Sequence, residues 1–333
     1  MKHRRPAVRR THPSYNTIGN PEPILPDPPK PIKISSFICM TNAVRRGDTF
    51  IEAIQSHLLF SDEVVIVDGG STDGTIERIT AFKRIAGLSD EVLRIVTLPW
   101  PEDWSWEEFP KHWNFGYQNC TGDWVAAGET DHIWHGDTAS LIRKTLEHSD
   151  YANAPVVGVP KIQTSIIDRT FNKWQFPYFV NKKMFGDKIG YGLDRDNFSD
   201  LTHPLFIQRQ TGDLMYEGSL IKDFRTVRLP FINYVWVYKT YDMIVEERFK
   251  GLQGWKKFAP FWDVFKATYP GGRSEADIQK DLKPNMIWRY DKCTISYPLP
   301  QHPAHMQLPL VTRLNPGMYG YDLCGQVDPV VLS

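Results

Sequence analysis

No stretch of this 333-residue chain approaches the about 18 consecutive apolar residues that a membrane-spanning helix needs, so no span is expected. Cysteine is scarce. Cys39, Cys120, Cys293 and Cys324 form no C-x-x-C pair and no zinc-like spacing, which fits free thiols in a reducing compartment. The N-terminus is basic but lacks an apolar core segment, so a secretory signal is not expected and a cytoplasmic location is. Net charge is absent too, with 39 Lys and Arg against 39 Asp and Glu. Any attraction to a polyanion must therefore come from local clustering. Internal repeats are missing, which argues against a solenoid or propeller.

The balance of charge hides one cluster. Lys2, Arg4, Arg5, Arg9 and Arg10 fall within the first 12 residues, leaving 34 basic against 39 acidic residues elsewhere. Prolines 21, 23, 26, 28, 29 and 31 follow. Proline at this density excludes helix and sheet, so residues 1–31 are read as a basic, extended, disordered arm. Its arginines could touch a polyanion. The remaining length suits one large or two modest domains. An apolar share of 41% and an aromatic share of 13% fit a globular core. The 11 tryptophans serve such a core or the flat faces of clefts that hold sugars or bases.

The chain is organised around Val64-Val65-Ile66-Val67-Asp68-Gly69-Gly70-Ser71-Thr72-Asp73-Gly74-Thr75. Its continuous apolar run reads as a strand buried on both faces, as in a parallel sheet. Asp68 then stands at the carboxyl end of the strand, the edge at which open α/β sheets bind ligands. Gly69, Gly70 and Gly74 allow a tight turn and close approach of a ligand. Thr72 or Asp73 can cap a helix whose apolar face is Ile76, Ile79, Phe82 and, one turn on, Ile85. No Lys-Ser/Thr follows the last glycine, so the turn is not a P-loop, nor is it G-x-G-x-x-G. By itself the string also fits a strand–turn–helix corner without chemistry.

Strands alternate with helices on either side. Residues 33–39 read as a first strand. Asp48 is expected to cap a helix burying Phe50, Ile51, Ile54 and Leu58. A third strand is read at 92–96, a helix at 111–120, a fourth strand at 124–127, and a helix burying Leu141, Ile142 and Leu146. The spacing predicts a doubly wound, mostly parallel α/β sheet over residues 32–150. From about residue 151 the pattern turns irregular and aromatic, with a strand at 231–238 and a helix at about 240–268. That pattern suggests a mixed α+β region over 151–333 ending in a proline-rich flap.

Glu129-Thr130-Asp131 follows the fourth strand. In extended backbone, residues i and i+2 share a side, so both carboxylates would face the edge carrying Asp68. At about 6 Å they would repel by roughly 3 kcal/mol at an effective dielectric near 20, so they are either solvated or neutralised by a cation. Oxygen ligands with open positions suit Mg²⁺ or Mn²⁺.

The Val64–Thr75 string closely resembles the V-D-x-G-S-T-D-G-T signature of family 2 glycosyltransferases. Asn114-Phe115-Gly116, Cys120-Thr121-Gly122-Asp123-Trp124-Val125 and Glu129-Thr130-Asp131 are similar to that family's R-N-x-G, G-D-(Y/W)-(I/V) and D-x-D stretch, about 60 residues behind Asp68. The resemblance covers roughly residues 33–150. It implies a GT-A fold, a nucleotide-diphosphate sugar donor such as a UDP-sugar, and Mn²⁺ or Mg²⁺. Asp68 would contact the base, and Thr41 and Asn42 would line the nucleoside pocket with Gly70. Asp131 would be the principal metal ligand, with Glu129 beside it.

The match has departures. Glu129 stands where the family has Asp, Trp113 where Arg is common, and Cys39 where Pro is usual. Lys111 or His112 would then replace the missing phosphate contact, next to Asn114. A third metal ligand is expected from His302 or His305, while His132 and His135 are read as shaping the loop. The family's inverting members use an acidic base across the cleft. Of Asp213, Glu217 and Asp223, the reading favours Glu217 or Asp223.

Residues 32–150 would thus bind the nucleotide sugar and residues 151–333 the acceptor. That acceptor is a saccharide or, given the basic arm, a hydroxymethylated pyrimidine in DNA. A nucleotidyltransferase and a non-catalytic binding module of the same fold are the alternatives.

Overall fold

The computed structural model describes residues 31–102, 108–166, 169–186, 189–192, 205–208, 213–216, 219–221, 225–227, 229–234, 239, 276, 295–296 and 299–307. The chain alternates at first. It runs β1 (Ile34–Met40), α1 (Phe50–Leu58), β2 (Glu63–Asp68), α2 (Thr75–Ile85), β3 (Leu93–Thr97), α3 (Glu108–Asn119) and β4 (Trp124–Gly128). Next come β5 (His132–Trp134), α4 (Gly136–Glu147), α5 (Ser149–Ala152), β6 (Val156–Ile166), β7 (Arg169–Asn181) and α6 (Lys182–Phe185). The described remainder is mostly short strands: β8 (Ile189–Gly192), β9 (Leu205–Gln208), β10 (Asp213–Tyr216), β11 (Ser219–Ile221), β12 (Arg225–Thr226), β13 (Phe231–Tyr234) and β14 (Ile295–Ser296). No helix among the described residues is long and apolar enough to cross a membrane.

Among the described residues ten strands form the main sheet, with the path β3-β2-β1-β4-β7-β6-β13-β5. The first four are mutually parallel. Antiparallel β7 then separates them from β6, and β13 lies parallel to β6 and antiparallel to β5. Strands β8 to β11 make a second, four-stranded sheet. An alternating, parallel half followed by a mixed region is the expected α/β class.

The apolar run of β2 behaves as its composition demands. Val64, Val65, Ile66 and Val67 are all fully buried. Val64 and Ile66 pack with Ile54, Ile79 and Leu93, while Val65 packs with Phe37, Trp113 and Tyr117. Full burial of a side chain such as Ile79 is worth about 1.5–3 kcal/mol. The amino end of the same strand is held by polar contacts. Glu63 accepts hydrogen bonds from Ser35 Oγ (2.5 Å), Thr121 N (2.9 Å) and Thr121 Oγ1 (2.9 Å), and pairs with Arg94 Nη2 at 3.0 Å.

Three local expectations need correction. The apolar stripe of α2 ends at Phe82, since Ile85 is 82% exposed. On α4 the buried face is Ala139, Ile142 and Leu146, and Leu141 turns outward at 44% exposure. Asp48 does not cap α1. The N-cap residue is Thr49, without a side-chain cap bond, and Asp48 is buried in an ion pair with Lys239. The strand at 231–238 is described only as far as Tyr234, and the helix expected at about 240–268 lies outside the described residues.

Candidate functional site

The strand register brings the two acid motifs to one edge. Asp68 pairs with Met40 at the carboxyl end of β1, and Gly128, just before Glu129, pairs with Ile38. The motifs therefore leave the same edge two strand spacings, about 10 Å, apart.

At the β2 end, Asp68 is buried, and its carboxylate accepts the N–H of Gly70 (3.1 Å) and of Ser71 (3.1 and 3.2 Å). Gly70 has φ +87°, a left-handed conformation that a side chain would strain. Gly69 is needed for a different reason. A Cβ there would lie 1.9 Å from Thr41 Oγ1 and 2.1 Å from Trp100 Nε1. Trp100 Nε1 donates to Thr41 Oγ1 at 2.5 Å, and the Thr41 hydroxyl donates to the Met40 carbonyl. Asn42 sits at φ 51°, which Asn tolerates better than most residues. Its Oδ1 accepts from Thr72 N at 2.8 Å, and its N–H donates to Ser71 Oγ at 2.9 Å. The loops after β1 and β2 are thereby joined into one rim. Asp73 reaches the first residue of α2, accepting from Thr75 N and Oγ1, while the N-cap position is Gly74.

Helix α3 places its candidates differently. Lys111 is exposed and pairs with Glu108 on its own helix at 2.7 Å. Asn114 turns its amide to the second sheet, accepting from Tyr191 N at 2.8 Å and donating to Tyr191 O at 3.3 Å. Trp113 is a core residue, 6% exposed. The His112 ring stacks on Trp100 with centroids 3.6 Å apart.

The β4 end is a turn, not the extended segment expected, and His132 N donates to Glu129 O at 3.1 Å. The turn still gathers its side chains. Glu129, Asp131 and His132 each offer one ligand atom within 4.8 Å of the others. His132 Nε2 is 3.4 Å from Glu129 Oε2 and 4.0 Å from Asp131 Oδ1. An ion with bonds of about 2.1 Å spaces its ligands about 3–4 Å apart, so the set fits a divalent cation. The two carboxylates suit Mn²⁺ or Mg²⁺, and the imidazole favours Mn²⁺ of the two. Burial, and then the neighbouring Glu129, push the Asp131 carboxyl up to about 6, against the pull of Lys161 and Lys239. Two carboxylates within 4.8 Å of each other repel by at least about 3.5 kcal/mol at an effective dielectric near 20, which a bound cation would relieve.

The fold supports this turn from β5 and β13. Asn233 pairs with His132, and Tyr234 N donates to the Asp131 carbonyl at 2.9 Å. Lys161 on β6 brings its Nζ to 3.4 Å from His132 Nε2. Among the described residues the ligand cluster includes neither His302 nor His305. His302 is buried, with Nδ1 2.6 Å from the Tyr234 hydroxyl. His305 is held by burial, and secondarily by His135, at about 4. Glu217 and Asp223 lie outside the described residues.

Sequence reasoning passed over His132 as a ligand, although its adjacency to Asp131 was a signal. It also gave no role to Lys161, Lys239 or Thr130. Their involvement depends on contacts between distant segments, which leave no local pattern.

The model of the family described as Glycosyl transferase family 2 matches residues 35–211, more than half of the chain. No curated protein matches it. Among solved structures, the chain is similar to S. aureus TarS 1–349, with 15% identity over 52% of this chain and 53% of that one, at a TM-score of 0.36. It thus spans about half the length of that structure. TarS 1–349 in complex with UDP-GlcNAc gives 14% identity, 65% coverage of each chain and a TM-score of 0.41. The mannosyltransferase PcManGT from Pyrobaculum calidifontis, in complex with GDP-Man and Mn2+, gives 14% identity, 92% coverage of each chain and a TM-score of 0.37.

Proposed function

The chain belongs to glycosyl transferase family 2, and on that premise we propose that it moves a sugar from a nucleotide-diphosphate sugar, a UDP-sugar, to an acceptor hydroxyl. The observation that carries the reading is the convergence of the Asp68 rim and the Glu129–Asp131–His132 cluster at one edge of the GT-A sheet. Asp68, Thr41 and Asn42 hold the base and ribose, and the exposed Gly70 leaves room beside them. Glu129, Asp131 and His132 would hold Mn²⁺ or Mg²⁺. Such an ion, when bound, supplies positive charge against the departing diphosphate.

Transfer proceeds with inversion. The acceptor oxygen attacks the anomeric carbon opposite the leaving group as the carbon–oxygen bond to the diphosphate breaks. An acidic base, Glu217 or Asp223, takes the hydroxyl proton, a contribution of about 10²–10⁴ in rate. Lys161, beside His132, adds a fixed cation to the diphosphate end of the site.

The acceptor is by default a saccharide hydroxyl, and a hydroxymethylated pyrimidine in DNA is the alternative that the five basic residues within positions 1–12 bring in. A salt titration of DNA binding by the full chain and by residues 32–333 separates the two. Affinity lost with the arm supports DNA, and no affinity in either removes it.

The donor reading is tested by thermal shift with UDP-sugars and Mn²⁺. Stabilisation that needs both components is expected, and indifference to every nucleoside diphosphate would overturn it.

A further inference from the structure

We propose that Asp48 is a positioning residue that, through Thr130, holds the carboxylate turn in register with the nucleoside rim. The inference rests on the transferase reading for its purpose, and on the following contacts for its geometry.

Thr130 lies between the two carboxylates but faces the interior. Its hydroxyl and its carbonyl are taken by residues 48 and 49. Its hydroxyl donates to Asp48 Oδ2 at 3.0 Å, and its carbonyl accepts from Thr49 Oγ1 at 3.0 Å. The other side of Asp48 meets Lys239 Nζ at 3.0 Å, and Arg46 Nε lies 3.2 Å from Oδ2. Burial opposes ionisation of Asp48, yet Arg46, Lys239 and Thr130 hold its carboxyl below the ordinary value.

Asp48 also belongs to the rim. Its N–H donates to the Ala43 carbonyl at 3.0 Å, closing the loop that carries Thr41 and Asn42. That loop is itself bonded to Ser71 and Thr72. The loops after β1, β2 and β4 therefore form one hydrogen-bonded unit, and Asp48 with Thr49 is the joint between the first and the third.

The local sequence points to another use for these residues. An Asp-Thr pair just before an apolar helix is a good N-cap, and capping would stabilise α1 directly. The helix forgoes that bond, and the Thr49 hydroxyl is turned to Thr130 instead. Burying a carboxylate with a lysine is also costly unless the geometry is exact enough to repay desolvation. Local stability has been given up for the placement of one turn.

Thr130→Val keeps the shape and removes only the donor, Thr130→Ser restores it, and Asp48→Asn removes the charge. All are compared as full-length protein. Loss of a hydrogen bond to a charged acceptor predicts amide exchange across residues 129–132 at least about tenfold faster in nucleotide-free Thr130→Val and Asp48→Asn, with wild-type rates in Thr130→Ser. Half-saturating Mn²⁺ in the presence of a UDP-sugar should rise at least about tenfold in Thr130→Val and return with Ser.

Unchanged exchange in Thr130→Val overturns the proposal. So does a lowered melting temperature with an unmoved Mn²⁺ midpoint, because that is what a merely structural bond would give. Wild-type protein that ignores every nucleotide sugar overturns the transferase reading instead, and the exchange measurement is read without it.

Discussion

Strand β2 ends in an acid on both sides, and the two ends of its sheet use acids in opposite ways. At the amino end Glu63 is saturated by Ser35, Thr121 and Arg94. Although burial works against it, the hydrogen bonds from Ser35 and Thr121, with the charge of Lys33, hold its carboxyl below the ordinary value of 4.5. At the carboxyl end Asp131 is pushed up to about 6, first by burial and then by the neighbouring Glu129. One end has its charge fully compensated within the fold. The other, beside the satisfied Asp68, keeps Glu129 and Asp131 crowded together, a repulsion that a bound cation would relieve. Paired acids add stability and crowded acids give it up, so the contrast separates framework from site.

The contrast is broken most sharply at Asp131. Asp131→Asn should cut metal-dependent donor hydrolysis by about 10²–10³, while leaving the melting temperature unchanged or higher. A large loss of stability would show that the crowding has been misjudged.

Glu63→Gln is the mirror image. It should cost about 1–3 kcal/mol in a urea titration and leave activity per folded molecule alone. Because the folded carboxyl ionises below its ordinary value, its stabilisation is complete above pH 4.5 and fades as pH falls through the folded value. The acid limb of stability should therefore be shallower in Glu63→Gln than in wild type.

Gly69→Ala tests the rim. Its Cβ would collide with Thr41 and Trp100, so a cost of about 1–3 kcal/mol is expected together with a raised KM for the donor. At the small end, Ile85→Ser and Leu141→Ser should each stay within about 0.5 kcal/mol in the same titration, since both side chains are exposed.

Much of the alternating half was legible because its signals are local. Four β-branched residues before Asp68 can only be a doubly covered strand, and the glycines after it announce a turn. Helix faces were legible to within a residue, and they failed at Ile85 and Leu141, where the question is what another element covers. Asp48 was misread because its capping propensity is a local property, while its ion pair is formed with Lys239, 191 positions away. The i, i+2 argument for Glu129 and Asp131 assumed extended backbone, and the structure makes a turn there that still brings the carboxylates together. His302 and His305 were chosen by analogy, and the imidazole in the cluster is His132.

Residue order alone established the alternating α/β half, the two acid motifs and their common edge, because periodicity and turn chemistry act over a few residues. Tertiary structure decided which side chains meet at that edge. Thr130 reaches Asp48 across 82 positions, and β13 supports the carboxylate turn from about a hundred residues further along the chain. Contacts of that kind are set by strand pairing and burial, which act on distance in space and are indifferent to separation along the chain.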